Sequence, residues 1–262
     1  MHKRKEKRGS LVIILLLSLY LLFPLFLTFL YSVFSQWTGL IPQGFTLKHY
    51  GEIFSDTAFV IPLLRTVIIS ILPVLLCSAA MLMAMYVVLV YHPGWEKYVQ
   101  MVCTIPYALQ GIILAISVLS LYSGMPLPFS DRIVMLTGTY CVLVLPYIYQ
   151  GIRNSLNAVN ALQLIQAAQL LGAGKLQAYL KIVVPNIRSG ILVSSMLGIS
   201  VLFGDFVVVN IIGGSYFQTA QIYLYKIMFR SGQMSSAVIV VLFAVTLVIS
   251  GSVFLRNRKG KE

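Results

Sequence analysis

Six long apolar runs, separated by polar and charged segments, dominate the pattern of this sequence. A transmembrane helix needs about 20 mainly apolar residues to cross a hydrocarbon core of about 30 Å. Backbone groups in lipid must be hydrogen-bonded within the segment, which favours helices over barrel strands for runs of this length. The pattern therefore predicts an all-α, polytopic membrane protein with six transmembrane helices, at 11–34, 63–91, 98–122, 133–150, 191–213 and 237–255.

The composition agrees with a chain that lies mostly in lipid. Of its 262 residues, 59% are hydrophobic and 10% are charged, whereas soluble domains have about 45–50% apolar and about 25% charged residues. These values exclude a soluble globular enzyme, a disordered chain and a disulfide scaffold. Cys77, Cys103 and Cys141 lie inside apolar runs without metal-ligand spacing, which favours small buried hydrophobic side chains.

The distribution of positive charge predicts the orientation in the membrane. The net charge is +12, but the basic residues fall in short segments between apolar runs, which indicates membrane orientation rather than a nucleic-acid partner. With the N-terminus in the cytoplasm, 14 of the 19 Lys and Arg residues lie inside and 5 outside. Both termini are therefore predicted to be cytoplasmic, with a basic N-terminus at 1–10 and a basic tail at 256–262. The 11–34 run is too long for a signal peptide and lacks a cleavage site, so it is expected to stay as an anchor.

The connecting segments differ in length. The predicted outer loops 35–62 and 215–236 are long enough for short helices, and the aromatic residues of the second fit either a headgroup-level belt or a gate. The 151–190 loop, predicted to be cytoplasmic, has the pattern of two short helices separated by Gly172-Ala173-Gly174. Asn160 is expected to cap the first helix and Pro185 to end the second. An apolar helix face on the water side fits either a partner protein or the lipid surface.

Residues of this loop match a known motif. Gln166-Ala167-Ala168, Gly172-Ala173, Tyr179, Ile182 and Pro185 have the spacing of the "EAA" loop. The sequence thereby resembles the permease subunits of binding-protein-dependent ABC importers, the MetI-like family, over nearly its whole length. The 203–210 segment resembles the branch that transports polyamines, ferric iron and aminoethylphosphonate.

The resemblance implies a type I ABC importer permease fold, with a five-helix core at 63–255, as a multi-pass protein of a prokaryotic cytoplasmic (inner) membrane. It implies three kinds of protein partner: a pair of ATP-hydrolysing subunits, a second permease chain of the same or a different sequence, and an extracytoplasmic solute-binding protein. The residues implied to couple the chain to the ATPase are Gln166, Ala167, Ala168, Gly172, Ala173 and Pro185. The family has a glutamate where this chain has Gln166, which removes a possible charge-assisted contact and keeps a hydrogen-bonding side chain of the same length.

ATP hydrolysis is expected in a separate polypeptide. The 172–175 segment invites comparison with a phosphate-binding loop, but residue 169 is Gln, residue 176 is Leu and no strand precedes it. We therefore predict a transport subunit that is not an enzyme and holds no cofactor, with ATP and Mg bound by the partner ATPase.

Two features of the predicted fifth span are candidates for function. Asp205 is the only acidic residue in the six runs, and a carboxylate near the membrane centre costs about 2.5–3.5 kcal/mol, so Asp205 and Asn210 are candidates for the translocation path. Asp205 could instead pair with a basic residue of a neighbouring helix or lie hydrated near the outer surface. Gly190, Ser194 and Gly198 recur every fourth residue, which predicts a helix-packing seam.

The predicted function is translocation of a small solute, of the polyamine, phosphonate or iron class, as the permease subunit of an ABC importer. The alternative is a secondary transporter driven by an ion gradient. That class predicts internal repeats, broken helices or several intramembrane acids. The sequence has one such acid and no clear repeat, which favours the importer.

Overall fold

The structure, a computed structural model, describes residues 2–37, 43–109 and 111–258. The described chain is mostly helical, with one antiparallel pair of short strands, β1 (Phe34–Gln36) and β2 (Gln43–Phe45). The α-helices, in chain order, are α1 (His2–Ser32), α2 (Lys48–Ser55), α3 (Thr57–Val90), α4 (Glu96–Thr104), α5 (Gly111–Tyr122), α6 (Arg132–Ala158), α7 (Ala161–Leu170), α8 (Lys175–Ala178), α9 (Val184–Phe203), α10 (Ala220–Ile227) and α11 (Gly232–Arg258).

Five helical segments of the described chain are long and apolar enough to cross a membrane. They are Ile13–Ser32, Thr57–Val90, Arg132–Ala158, Lys175–Phe203 and Gly232–Gly251. A sixth crossing results if Pro93–Ala108 and Gly111–Tyr122, bent by 101°, count as one span. The prediction of an all-α polytopic membrane protein is confirmed. The orientation of its termini stays a prediction, and residues 38–42 of the outer loop and 259–262 of the tail lie outside the described residues.

The third predicted span is not one continuous helix, and that expectation is wrong. After α4 the chain makes a 3₁₀ turn, Ile105–Ala108, before α5 begins. Pro106 lies in this turn. Proline has no backbone N–H and its ring crowds the preceding helical turn, which ends α4 here.

The bounds of the fifth predicted span are also wrong. A continuous helical segment begins at Lys175 and ends at Phe203, so Asp205 lies beyond the helix rather than inside it. Pro185 does not end this segment, because a π turn, Tyr179–Val183, precedes it. The Val184 N–H bonds to the Tyr179 carbonyl, five residues back, and this wider turn carries the helix past the residue that cannot donate.

The chain divides into two compact units. The first, Met1–Val60 with Tyr223–Val245, contains the hairpin and the short α2 that the length of the outer loop predicted. Asp56 begins α3 there: its Oδ1 accepts a hydrogen bond from the Ala58 N–H at 2.8 Å, and its Oδ2 accepts one from the Tyr223 hydroxyl at 3.2 Å. The Phe59 ring is fully buried and packs on Tyr223, with ring centroids 5.3 Å apart.

The second unit, Ile61–Ile222 with Thr246–Glu262, contains the candidate site. Its centre is the long contact between α6 and α9. Ile148 and Ile152 of α6 and Ile187 of α9 are essentially inaccessible to solvent. In lipid such side chains stabilise a helix pair by close packing rather than by removal from water, so this pair of helices forms the centre of the unit.

Candidate functional site

The first part of the 151–190 loop is α7, which is amphipathic. Ala161, Ile165 and Ala168 are buried and lie on one face, at spacings of four and three residues. Gln166 and Ala167 are exposed on the opposite side. Of these three motif residues, Ala168 is therefore packed against the rest of the unit, and Gln166 and Ala167 are exposed.

Asn160 precedes α7 but does not cap it in the expected way. Its φ of 49° is left-handed, and its side chain makes no cap hydrogen bond. Asparagine tolerates this conformation better than most residues do. The residue therefore turns the chain from α6 into α7, and the prediction of a side-chain cap is wrong.

The C-terminal end of α7 explains the spacing between Ala168 and Gly172-Ala173. The Ala173 N–H donates to the Ala168 carbonyl at 3.0 Å, and the Gly172 N–H donates to the Gln169 carbonyl at 2.9 Å. This pair of bonds is a Schellman motif, which needs a left-handed residue after the helix. Gly172 provides it with a φ of 85°. The three motif residues are thus joined by backbone geometry.

Two leucines lie at the tip formed by this turn. Leu170 is 89% exposed and Leu171 is 90% exposed. Adjacent leucines with this exposure at a loop tip are typical of a surface that another protein or the lipid surface covers. They continue the open surface that Gln166 and Ala167 begin.

Tyr179 attaches the following helical segment to the rest of the unit. Its side chain is 1% exposed, and its hydroxyl donates to the Leu82 carbonyl of α3 at 2.9 Å. Val183 is also buried, whereas Leu176 and Leu180 are each 53% exposed. The apolar face expected from the sequence is therefore only partly buried, because it is centred on Tyr179 and Val183.

Asp205 begins a short buried segment beyond α9. Its Oδ2 accepts hydrogen bonds from the Tyr140 hydroxyl at 3.0 Å and from the backbone N–H groups of Val208 and Val209 at 3.1 and 3.3 Å. The segment continues as a π turn, Val209–Gly213. Asp205 is thus an N-terminal cap, where a negative charge also meets the positive end of the helical dipole. Asn210 is exposed on this segment.

Arg132 binds the opposite end of that segment. Its Nη1 donates to the Ile212 carbonyl at 2.8 Å, and its guanidinium lies 5.4 Å from the centre of the Tyr216 ring. A positive charge at the C-terminal end of a helical turn complements the dipole there. An acid and a base from different elements therefore hold the two ends of 205–213.

The loop after this segment is held by α3. The Thr66 hydroxyl accepts a hydrogen bond from the Ala220 N–H at 2.9 Å, at the start of α10, and donates to the Pro62 carbonyl at 2.8 Å. Gln221 donates to the Phe203 carbonyl at the end of α9. The Arg65 guanidinium lies 5.5 Å from the centre of the Phe217 ring. Cation–π contacts therefore hold both Phe217 and the preceding Tyr216 at this turn.

Gly190, Ser194 and Gly198 all face α6. A Cβ on Gly190 would overlap with Ser155, and a Cβ on Gly198 would overlap with Val144. Ser194 lies against Gly151 of α6, where a Cβ would meet its side chain. These small residues allow two membrane helices of the same chain to approach closely.

Comparison with known proteins places this arrangement in context. No family model matches the chain. The solved structure of a bacterial ABC transporter involved in the import of the acidic polysaccharide alginate superposes with a TM-score of 0.72 and 18% identity, covering 98% of each chain. The chain has the fold of an ABC importer permease.

Two curated relatives are similar in sequence along almost their whole length. A 2-aminoethylphosphonate transport system permease protein of Salmonella typhimurium is 22% identical over 253 residues, 94% of this chain and 92% of the relative. A spermidine/putrescine transport system permease homolog of Mycoplasma pneumoniae is 23% identical over 258 residues, 92% of this chain and 88% of the relative. The resemblance seen in the sequence is confirmed, and both relatives are transport subunits rather than enzymes. The bent third span would fit a secondary transporter, but neither the relatives nor the fold favour that alternative.

Several residues of the site were not identifiable from the sequence. Tyr140 and Arg132 bind the 205–213 segment from α6, and Arg153 of α6 forms an ion pair with Glu96, with Nε 2.7 Å from Oε1. These contacts join residues 57 to 80 positions apart. In the sequence, each of these is only a polar or charged residue within or beside an apolar run. Such a residue is a candidate for a contact, but the sequence does not show which residue it contacts.

Proposed function

We infer that this chain is the membrane-spanning permease subunit of an ABC importer and carries a small solute across the membrane. The observation that supports this most directly is the open surface of the 151–190 loop, which consists of Gln166, Ala167, Leu170 and Leu171 beside a Schellman turn. A helix that ends in a hydrogen-bonded Schellman turn and presents two leucines about 90% exposed is suited to a protein partner. The importer fold and the two relatives support the same inference.

The partners that this function requires are a pair of ATPase subunits, a second permease chain and an extracytoplasmic solute-binding protein. We place the ATPase on the 151–190 loop, and ATP and Mg in that ATPase rather than in this chain. Gln166, Ala167, Ala168, Gly172, Ala173 and Pro185 form the coupling loop of this proposal. We place the protein in the cytoplasmic membrane of a prokaryote, with both termini inside.

For the solute, the proposal follows the chemistry that the relatives share. 2-Aminoethylphosphonate, spermidine and putrescine all carry a primary amino group, which is cationic at neutral pH. Asp205 is a carboxylate on the α9 side of the α6–α9 pair, and an amine is a suitable partner for it. A small amine of the polyamine or phosphonate class is therefore our first expectation, and ferric iron the second.

The coupling mechanism follows from the connection between the loop and the Asp205 segment. The segment Lys175–Phe203 is continuous, and 29 residues at 1.5 Å each span about 43 Å. When ATP closes the ATPase pair, movement of α7 is transmitted through the Schellman turn to this helix. The far end of the helix meets Gly204 and the capped 205–213 segment, so a change at the loop alters access to the path.

Reconstitution tests this function. The chain is purified with its ATPase, its partner permease and its binding protein, and ATP hydrolysis and uptake of labelled 2-aminoethylphosphonate and putrescine are measured in proteoliposomes. We expect hydrolysis stimulated by the loaded binding protein, and Leu170→Ser with Leu171→Ser to reduce binding of the ATPase. Leu47→Ser, at an exposed leucine in the predicted outer loop 35–62, is the control. Uptake driven by an ion gradient without ATP would overturn the proposal.

A further inference from the structure

A short connection between α3 and α4, residues 91–96, contacts the 151–190 loop. This inner connection is held in shape by its own contacts. The His92 N–H donates to the Val87 carbonyl at 3.2 Å, and the Trp95 N–H donates to the His92 carbonyl at 2.9 Å. The His92 and Trp95 rings also stack, with centroids 4.8 Å apart. The inner connection is therefore a tight turn with a defined backbone path.

The last residue of the inner connection, Glu96, forms an ion pair with α6. Nε of Arg153 lies 2.7 Å from Oε1 of Glu96. Arg153 belongs to the first part of the 151–190 loop and is seven residues before Asn160, where the chain turns into α7. Of the ion pairs in the described part of the chain, this one alone joins two helices, since those of Glu52 lie within α2. One flank of the loop is thus attached to the start of α4.

The first residue of the inner connection, Tyr91, contacts the other flank of the loop. The Lys175 ammonium group lies 5.1 Å from the centre of the Tyr91 ring, and Lys175 begins the helical segment that follows the Schellman turn. Tyr91 packs edge-on against Tyr86, with centroids 5.8 Å apart, and Tyr86 packs on Tyr179 at 5.1 Å. These aromatic residues join the segment after the turn to the end of α3.

The inner connection and the start of α7 are separated between these two contacts. A cleft of about 480 Å³ lies there, bordered by Pro93 and Glu96 on one side and by Asn160 and Gln163 on the other. The flanks of the loop are therefore attached to the inner connection, whereas the beginning of α7 is not packed closely against it.

The two contacts are better suited to positioning than to stability. The side chains of Arg153 and Glu96 are 31% and 40% exposed, and ion pairs with this exposure contribute little to the free energy of unfolding, because water screens them. A cation–π contact of an exposed lysine is weak as well. A small free energy is nevertheless sufficient to change the populations of two conformations that differ in such contacts.

We propose that the inner connection holds both flanks of the 151–190 loop, with Glu96 and Tyr91 as positioning residues, so that movement of α7 reaches α3 and α4 as well as α9. Without these contacts the loop moves with the ATPase while α3 and α4 stay behind, and ATP is hydrolysed with less transport. The proposal rests on the proposed transport function and adds the residues through which the loop acts on the second and third predicted spans.

Solute transported per ATP hydrolysed tests the ion pair in the reconstituted transporter. Glu96→Ala removes the pair, and Glu52→Ala is the matched control, because the Glu52 side chain is 43% exposed and pairs with Lys48 within α2. We expect Glu96→Ala to lower transport per ATP by about twofold to fivefold, with a normal yield of assembled complex. Glu96→Gln, which keeps an acceptor at the same length, should lie between Glu96→Ala and the wild type, and Glu52→Ala should leave the ratio unchanged.

The contact of Tyr91 is tested on the same ratio. Tyr91→Leu removes the ring on which Lys175 lies and should also lower transport per ATP by about twofold to fivefold, whereas Tyr91→Phe keeps the ring and should retain most of it. In the double variant Glu96→Ala with Tyr91→Leu both flanks are released, so its loss should exceed the product of the two single losses. A double loss no larger than that product would mean that the two contacts act independently, and would overturn the proposal.

The remaining outcomes separate this proposal from the transport function. If the unmodified complex neither assembles nor hydrolyses ATP, the transport function itself is wrong. If it transports labelled 2-aminoethylphosphonate or putrescine and Glu96→Ala has the wild-type ratio, only the role of the inner connection is wrong. A lower melting temperature of Glu96→Ala with an unchanged ratio would make the ion pair structural and would overturn the proposal as well.

Discussion

Gly172 offers the sharpest test of how the 151–190 loop works. An L-residue with a side chain pays about 1–2 kcal/mol to adopt the left-handed conformation that Gly172 has at φ 85°. A Cβ added there meets nothing within 4 Å, so the cost comes from the backbone and not from a clash. At 1.4 kcal/mol per tenfold change, Gly172→Ala should shift the equilibrium between the closed and the opened Schellman turn by about 5–30-fold.

The assay measures coupling rather than stability alone. Uptake and ATP hydrolysis are determined on reconstituted complexes, and the quantity of interest is solute transported per ATP hydrolysed. Gly174→Ala is the matched control, because Gly174 lies two residues away, has an extended backbone at φ −67° and ψ 151°, and has the same open space around an added Cβ. We expect Gly172→Ala and Gly172→Leu to lower transport per ATP and Gly174→Ala to leave it unchanged.

Partial rescue separates backbone geometry from other effects. Asparagine accepts the left-handed region more readily than alanine does, so Gly172→Asn should lie between the wild type and Gly172→Ala. Wild-type transport per ATP in Gly172→Leu, with a normal yield of assembled complex, would refute the reasoning. Equal losses in Gly172→Ala and Gly174→Ala would refute it as well, because the left-handed turn would then not be the cause.

Three further predictions concern topology, Asp205 and Tyr179. In a background lacking the native cysteines, Gln177→Cys should be labelled only from the cytoplasm and Lys48→Cys only from outside, and labelling of both from one side would contradict the six-span orientation. Asp205→Asn should leave the yield of assembled complex unchanged, because asparagine caps helices as well as aspartate does. It should lower amine uptake per complex, because it removes the negative charge. Asp131→Asn, at the cap of α6, is its control, and unchanged uptake would make Asp205 a capping residue only. Tyr179→Phe should lower the free energy of unfolding of the purified complex by about 1 kcal/mol, because the hydrogen bond to the Leu82 carbonyl is lost. The melting temperature should fall as a result, and an unchanged melting temperature would contradict this contribution.

The sequence was sufficient for what depends on local apolar length. Runs of about 20 apolar residues predict spans because the membrane thickness sets the requirement. Long helices of the structure coincide with the first, second, fourth and sixth runs, whereas the third is broken and the fifth is shifted. The sequence was insufficient where the same residue type, proline, either ends a helix or is accommodated within one. Pro106 ends a helix whereas Pro185 does not. The difference is the π turn before Pro185, which the packing of Tyr179 and Val183 supports and which no apolar pattern records.

The candidate site divides in the same way. The motif spacing from Ala168 to Ala173 is a local backbone requirement, so sequence reasoning could find the loop, although it did not give the Schellman bonds as the reason. Asp205 was identifiable as a charge in an apolar run. Its partner on another helix was not, since Tyr140 of α6 is 65 positions away. The contact between Arg132 of α6 and the Ile212 carbonyl, 80 positions apart, was equally out of reach.

The structure gives Asp205 a role in position as well as a candidate role in transport, and the two are connected. Its carboxylate holds the N-terminal end of 205–213, Arg132 holds the other end, and the buried Tyr140 joins it to α6. An amine that approached Asp205 would compete for the oxygen that caps the segment, which weakens the cap while it binds the solute. α9 begins inside the 151–190 loop and ends at Phe203, two residues before Asp205. A change at that loop and a change at Asp205 would therefore act on opposite ends of the same helical segment. We therefore expect solute binding and loop movement to influence each other through α9, and linkage requires the effect of each on the other to be equal in free energy.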